Sequence, residues 1–162
     1  MNKFLISMLF AVASPSPAYA KNVVPQFSDY PVKAVYTGKT AKLDLADPSA
    51  NMFRTRLRDA LTQKPDFAGE YVTTMWGCGG GCRVYSFVNK RTGQLLADGF
   101  GGEERTEDVI ATRSNSRLLV TQEEHMDDQN YAVDQVTTRF YVLEKNRFKL
   151  IKTITQPASK TQ

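Results

Sequence analysis

Residues 75–83 read MWGCGGGCR and hold both cysteines of the chain, Cys78 and Cys82. A continuous strand would keep their Cα atoms about 13 Å apart, since each residue advances ~3.3 Å, whereas a disulfide needs roughly 4.4–6.8 Å. Glycine adopts positive φ at little steric cost, so the three glycines between the cysteines allow the chain to turn back on itself. The stretch therefore predicts a hairpin end closed by a Cys78–Cys82 disulfide, which an oxidising compartment favours.

This disulfide is interpreted first as a structural staple, and two chemical alternatives stay open. A redox-active pair is one, although the cysteine spacing is one residue longer than Cys-x-x-Cys and no thioredoxin-like βαβ pattern accompanies it. A copper or zinc site is the other, in which both thiolates would join the single histidine, His125, and the soft ligand Met126. We assign no residue as a metal ligand and predict no cofactor.

The same turn is also a candidate binding surface. The backbone N–H groups of Gly79, Gly80 and Gly81 are able to form an anion-accepting nest, and Trp76 and Arg83 flank it with an indole donor and a guanidinium group. A loop that a disulfide holds rigid loses little entropy when it binds a partner. We therefore predict these five residues as the partner-binding set.

From residue 67 onward, apolar and polar residues alternate with a period of two, which is typical of half-buried strands. Turn residues separate the segments at 89–93, 114–116 and 145–146, so neighbouring strands are expected to form antiparallel hairpins. We predict strands at residues 71–76, 83–89, 94–97, 108–113, 117–122, 136–144 and 148–154.

Upstream of these strands the sequence predicts one helix. Asp47-Pro48 provides an N-cap and a first-turn proline, and apolar residues then recur at helical spacing until Lys64-Pro65. Two further strands are expected at residues 32–36 and 41–45. The predicted fold class is mainly β: an antiparallel meander sheet or partial barrel with one amphipathic helix packed on it.

The first 20 residues have the features of a cleavable export signal. Lys3 precedes an apolar run at residues 4–13, and Ala18-Tyr19-Ala20 is a small-residue cleavage site. The run is half of the ~20 residues that a membrane-spanning helix needs. We predict a signal peptide at 1–20, a single mostly β domain at 21–155, a disordered tail at 156–162, and a periplasmic or secreted location without a membrane anchor.

Charge and motifs restrict the classes of function. Removal of residues 1–20 takes away one lysine and no acidic residue, which lowers the net charge from +4 to +3. The remaining basic residues are interspersed with acidic ones, whereas a nucleic-acid-binding protein usually gathers them in one patch. The acidic clusters at 103–108 and 123–128 are expected at solvated loop tips, with His125 in the second loop. No catalytic residue is assigned, and a non-enzyme is favoured.

The motifs DFAGEY at 66–71 and TMWGCG at 74–79, with Cys82 and the Thr92-Gly93 turn, resemble those of a family of small exported bacterial proteins with no established function. The similarity covers roughly residues 50–95 and includes FRTRL at 53–57. It implies an exported domain and a paired-cysteine turn, and it assigns no binding or catalytic residue.

Together these features lead to two functional hypotheses. The first is an exported periplasmic binding or interaction protein, in its most concrete form an inhibitor or immunity protein against a cell-envelope hydrolase, with another envelope protein as its partner. The alternative is a thiol- or metal-dependent periplasmic redox protein that uses Cys78 and Cys82. The sequence makes no prediction of oligomeric state.

Overall fold

The computed structural model describes residues 23–102, 105–129 and 132–159. The predicted signal peptide and the last three residues of the predicted tail lie outside this part of the chain. Within it, no helix is both long enough and apolar enough to cross a membrane. The helices are α1 (Pro48–Met52) and α2 (Arg54–Thr62), and the strands are β1 (Tyr71–Gly79), β2 (Cys82–Asn89), β3 (Phe100–Gly101), β4 (Asp108–Ala111), β5 (Leu118–Met126), β6 (Val133–Glu144) and β7 (Arg147–Pro157).

The strands form two antiparallel sheets, which confirms the prediction of a mainly β fold. The first sheet has the order β1-β2-β3 and the second the order β4-β5-β6-β7, so strands that are consecutive in sequence are neighbours in space. The two sheets do not close into a barrel. At the β6–β7 turn, Lys145 and Asn146 have φ values of 49° and 61°, as the predicted tight reversal requires.

Three apolar clusters hold the layers together. One lies between the sheets, a second joins the first sheet to the helices, and a third covers the outer face of the second sheet. In the third cluster Phe27 and Tyr30 pack on β5 and β6, and the buried Ser116 hydroxyl binds the carbonyl oxygens of both residues, at 2.8 and 3.2 Å. The N-terminal segment is therefore part of the domain.

The predicted single helix is two helices. The Asp47 carboxylate caps α1 as expected, because Oδ1 accepts hydrogen bonds from Ser49 N (2.7 Å) and Ala50 N (3.3 Å). Phe53 then leaves helical geometry, with φ −102° and ψ 20°, and its ring packs against Trp76 with 4.5 Å between the ring centroids. The break thus coincides with an aromatic contact to β1.

Three predicted strands, at residues 32–36, 41–45 and 94–97, are wrong. A strand needs successive paired residues, whereas these segments make isolated contacts. Ala41 N and Asp44 N donate to the carbonyl oxygens of Lys90 and Gly93, at 3.0 and 2.9 Å, and residues 94–97 contribute one bridge, from Leu95 to Val88. The two-residue strand β3 was not predicted.

The predicted boundary of the disordered tail is also wrong. Strand β7 continues to Pro157, where Gln156 pairs with Val136 and Pro157 pairs with Gln135, and the next backbone N–H, at Ala158, donates to Asp134. The predicted tail has no large apolar residue, but β6 begins at Val133 and supplies backbone partners that composition does not reveal.

Candidate functional site

The two cysteines meet across a two-residue hairpin end. Gly79 pairs with Cys82, which leaves Gly80 and Gly81 as the turn, with φ values of 52° and 84°. Two positive φ values are the pattern of a type I′ turn, whose twist matches that of the flanking strands. Gly79 also has a positive φ, of 100°, and the Cα atoms of Cys78 and Cys82 are 5.2 Å apart. This arrangement confirms the predicted turn.

A bulge in β1 positions Cys78. Gly77 pairs with Arg83 and Gly79 pairs with Cys82, so Cys78 is the extra residue between two ladder pairs. Its sulfur lies within bonding distance of the Cys82 sulfur on the facing strand. The disulfide thus links the unpaired bulge residue to the opposite strand and fixes the register of the hairpin end.

The hairpin end, which we define as residues 77–82, extends into solvent. Gly77 to Gly81 are exposed and Cys82 is half-buried. A Cβ atom added at Gly79, Gly80 or Gly81 would find no other atom within 4 Å. The positive φ values therefore favour glycine at these positions, while the surrounding space would accept a side chain.

Trp76 does not belong to this exposed surface, which corrects its place in the predicted binding set. It is 6% exposed and packs on Phe53, because alternate residues of β1 face the helices. Its neighbour Met75 points to the opposite face and is 50% exposed. Met75 is thus an accessible apolar side chain beside the hairpin end that sequence reasoning did not select.

Arg83 is held at the base of the hairpin end by an ion pair. Its Nη1 atom lies 2.5 Å from Asp108 Oδ2 on β4, and the Tyr85 hydroxyl donates to Oδ1 of the same carboxylate at 3.1 Å. Burial, with a smaller contribution from Asp108, raises the pKa of Tyr85. Half of the Arg83 side chain remains exposed, so the guanidinium group is both oriented and accessible.

A cleft of about 300 Å³ lies beside the hairpin end. Its walls come from both sheets: Gly80, Gly81 and Arg83 on one side, Asp108 and Arg105 on the other. The Arg105 guanidinium group lies over the ring of Phe100, 4.3 Å from its centroid. This cleft therefore combines backbone from the glycine turn with two arginines.

Beneath the cleft lies a buried carboxylate, Glu107, which is 5% exposed. It accepts hydrogen bonds from Thr121 Oγ1 (2.6 Å), the Tyr141 hydroxyl (3.1 Å) and Arg105 Nη2 (2.7 Å), and Arg139 Nη1 is 3.5 Å away. Burial and the adjacent carboxylate raise the pKa of Tyr141. The expectation of a solvated loop tip is therefore wrong for Glu107.

The expectation of a loop is also wrong for part of the second acidic cluster. Glu123 and His125 belong to β5, where the Glu123 carboxylate pairs with Arg139 at 2.8 Å and accepts a hydrogen bond from Thr106. The Thr106 hydrogen bond, helped by Arg139, lowers the pKa of Glu123. His125 Nε2 lies 3.1 Å from Thr137 Oγ1 and 3.9 Å from Glu123 Oε2.

The polar network beneath the cleft satisfies its own hydrogen bonds. Among the described residues, no buried side-chain nitrogen or oxygen lacks a partner. In the same part of the chain, no group of three or more His, Cys, Asp or Glu side chains is placed to hold a metal ion. The hydrogen bonds and ion pairs of Glu107 and Glu123 cross-link the strands that line the cleft.

Comparison with known proteins adds no assignment. No protein-family model matches the chain, and no curated protein or solved structure is significantly similar to it. The resemblance to an exported family stays a prediction.

Proposed function

We propose that the protein is an exported binding protein of the bacterial cell envelope, and that the hairpin end is its recognition element. The single observation behind this proposal is the solvent-exposed turn at Gly80-Gly81, which Cys78 and Cys82 close and which has open space around each glycine. The predicted signal peptide supplies the location, in the periplasm or outside the cell.

The shape of the hairpin end supports insertion into a partner. A two-residue turn is the narrowest connection between antiparallel strands, and glycine adds no side-chain volume at its tip. The disulfide restricts the free chain to a conformation close to the bound one, which reduces the entropy lost on binding. These are the properties of a protruding loop that enters an active-site cleft, as an inhibitor or immunity protein requires.

The charge beside the hairpin end supports a polar, partly acidic partner surface. Asp108 engages one nitrogen of the Arg83 guanidinium group, which leaves other N–H donors directed away from that ion pair. Met75 adds apolar contact area. A cell-envelope hydrolase, whose cleft carries catalytic carboxylates, has complementary chemistry, and we propose such an enzyme as the partner.

A change at the turn tests this proposal with the fold preserved. Gly80→Asn keeps a type I′ sequence, Asn-Gly, and adds a side chain at the tip where no atom lies within 4 Å. We expect the unmodified protein to suppress peptidoglycan hydrolysis in an envelope extract of the source bacterium and Gly80→Asn to lose that effect. The matched control is Lys145→Asn, at the first position of the distant β6–β7 turn.

Two results would count against the proposal. One is peptidoglycan hydrolysis that remains unchanged at any concentration of the protein, combined with no envelope protein retained in a pull-down. The other is full inhibition by Gly80→Asn, which would place the binding surface away from the turn.

A second candidate function is that of a thiol-dependent redox protein, which the solvent exposure of Cys78 favours. A solvent-accessible disulfide is open to attack by an external thiolate. A redox titration of the purified protein separates the two functions, because a midpoint potential below about −300 mV is typical of a structural disulfide and a higher one of an active pair.

A further inference from the structure

A second cavity, of about 570 Å³, lies away from the hairpin end, between α2 and the extended segment at residues 40–45. Leu43 and Leu61 line it and also belong to the apolar cluster beneath the helices, while Leu45 is 42% exposed at its edge. The volume is within the range of about 300–1,000 Å³ that ligand pockets occupy.

Backbone hydrogen bonds hold the extended segment against the first sheet. Ala41 N and Asp44 N donate to the carbonyl oxygens of Lys90 and Gly93, in the turn that follows β2. These two bonds attach the segment to the first sheet without a continuous ladder, and neither of them closes the space between the segment and α2. The cavity thus has an apolar floor, and both of its walls are attached to the turn after β2, because Lys90 Nζ also donates to the Leu61 carbonyl oxygen of α2.

The charged groups of this cavity all have the same sign. Lys42 and Arg58 line it from opposite walls, and no acidic residue does. Within the described part of the chain, neither cationic group has a carboxylate partner. Arg58, Leu61 and Thr62 share one face of α2, so the guanidinium group stands beside the apolar floor.

We propose that this cavity binds a single-chain amphiphile with a carboxylate head, of the fatty-acid type. The apolar chain would cover Leu43, Leu45 and Leu61 and remove apolar surface from water. The carboxylate would lie between Lys42 and Arg58, where the planar guanidinium group is able to accept it with two hydrogen bonds. This site is independent of the hairpin end and of the proposed function.

Dansyl-labelled undecanoic acid is the probe for the first test, because its fluorescence rises in apolar surroundings. We expect saturable binding to the purified protein. Arg58→Gln and Lys42→Gln should each bind the probe about tenfold more weakly, a loss of about 1.4 kcal/mol in binding free energy. Arg56→Gln is the matched control, since Arg56 is exposed on α2 and does not line the cavity. The methyl ester of the probe, which lacks the charge, should bind more weakly than the acid.

Leu45→Gln tests the apolar part of the site at a position exposed enough to preserve the fold. It should weaken binding of the acid and of the ester alike. Any of four results would overturn the proposal: no saturable fluorescence rise, equal weakening in Arg56→Gln, equal affinity for acid and ester, or unchanged binding in Leu45→Gln.

Discussion

Arg83 Nη1 and Asp108 Oδ2 lie 2.5 Å apart and join the two sheets at the base of the hairpin end. Arg83 belongs to β2 and Asp108 to β4, so the ion pair connects strands of different sheets. Two contacts consequently hold the hairpin end in place: the disulfide between its own strands and this ion pair with the second sheet.

The first prediction concerns this ion pair. Asp108→Asn should cost less than about 1 kcal/mol of unfolding free energy, because both side chains are partly exposed and water screens the pair. The larger effect should be local, namely faster amide hydrogen exchange in residues 79–82. Urea unfolding and native-state exchange measure the two quantities, with Glu144→Gln, which removes an exposed 4.0 Å contact to Lys149, as the control. Unchanged exchange in Asp108→Asn would contradict this role.

The second prediction compares two glycines with positive φ. A Cβ atom at Gly101 would lie 1.9 Å from the Arg83 carbonyl oxygen, whereas one at Gly80 meets no atom within 4 Å. Gly101→Asn should therefore destabilise the domain by about 2 kcal/mol or more, as a backbone clash does, and Gly80→Asn by no more than about 0.5 kcal/mol. Equal urea unfolding midpoints for the two variants would show that backbone conformation, and not the space available to a side chain, determines the cost of substitution at both glycines.

The third prediction concerns the buried carboxylate. Glu107→Ala should cost about 2 kcal/mol or more, because it leaves the buried Thr121 and Tyr141 hydroxyls without their acceptor and removes an ion-pair partner of Arg105. Tyr141→Phe, which removes the hydroxyl that donates to Glu107 and accepts from Arg105 Nη2, should cost about 1 kcal/mol. Glu124→Gln, at an exposed position of β5, is the control in the same denaturant titrations. If Glu107→Ala lost no more unfolding free energy than the control, the polar network would not stabilise the fold.

The fourth prediction is a pH dependence. The pKa of Glu123 is lowered in the folded protein, so its contribution to stability is complete above the unfolded-state value of about 4.3 and is lost as the pH falls through the lower folded value. Unfolding free energy should fall more steeply between about pH 5 and pH 3 in the unmodified protein than in Glu123→Gln. Parallel curves for the two proteins would contradict this assignment.

The hairpin end was predictable because its causes are local. Two cysteines separated by three glycines specify the reversal by backbone geometry alone, and the turn at Lys145-Asn146 follows in the same way from short-range residue preferences.

The polar network was not predictable because its causes are distant in sequence. Glu107 is buried by Thr121 and Tyr141, which reach it only after β4, β5 and β6 pair, and an acidic residue beside other acids resembles a solvated loop until that pairing is known. The two-helix break has a similar origin, since Phe53 packs on Trp76 from another element. Helix and strand propensities depend on residues that are close in sequence, so they do not predict such contacts.

A disulfide between Cys78 and Cys82 makes the hairpin end a fixed feature of the β scaffold. Its most direct test is a count of alkylated thiols by mass spectrometry, on protein recovered from its native compartment, before and after reduction. We expect no alkylated cysteine before reduction and two, Cys78 and Cys82, afterwards. Alkylation of both cysteines without a reductant would contradict it.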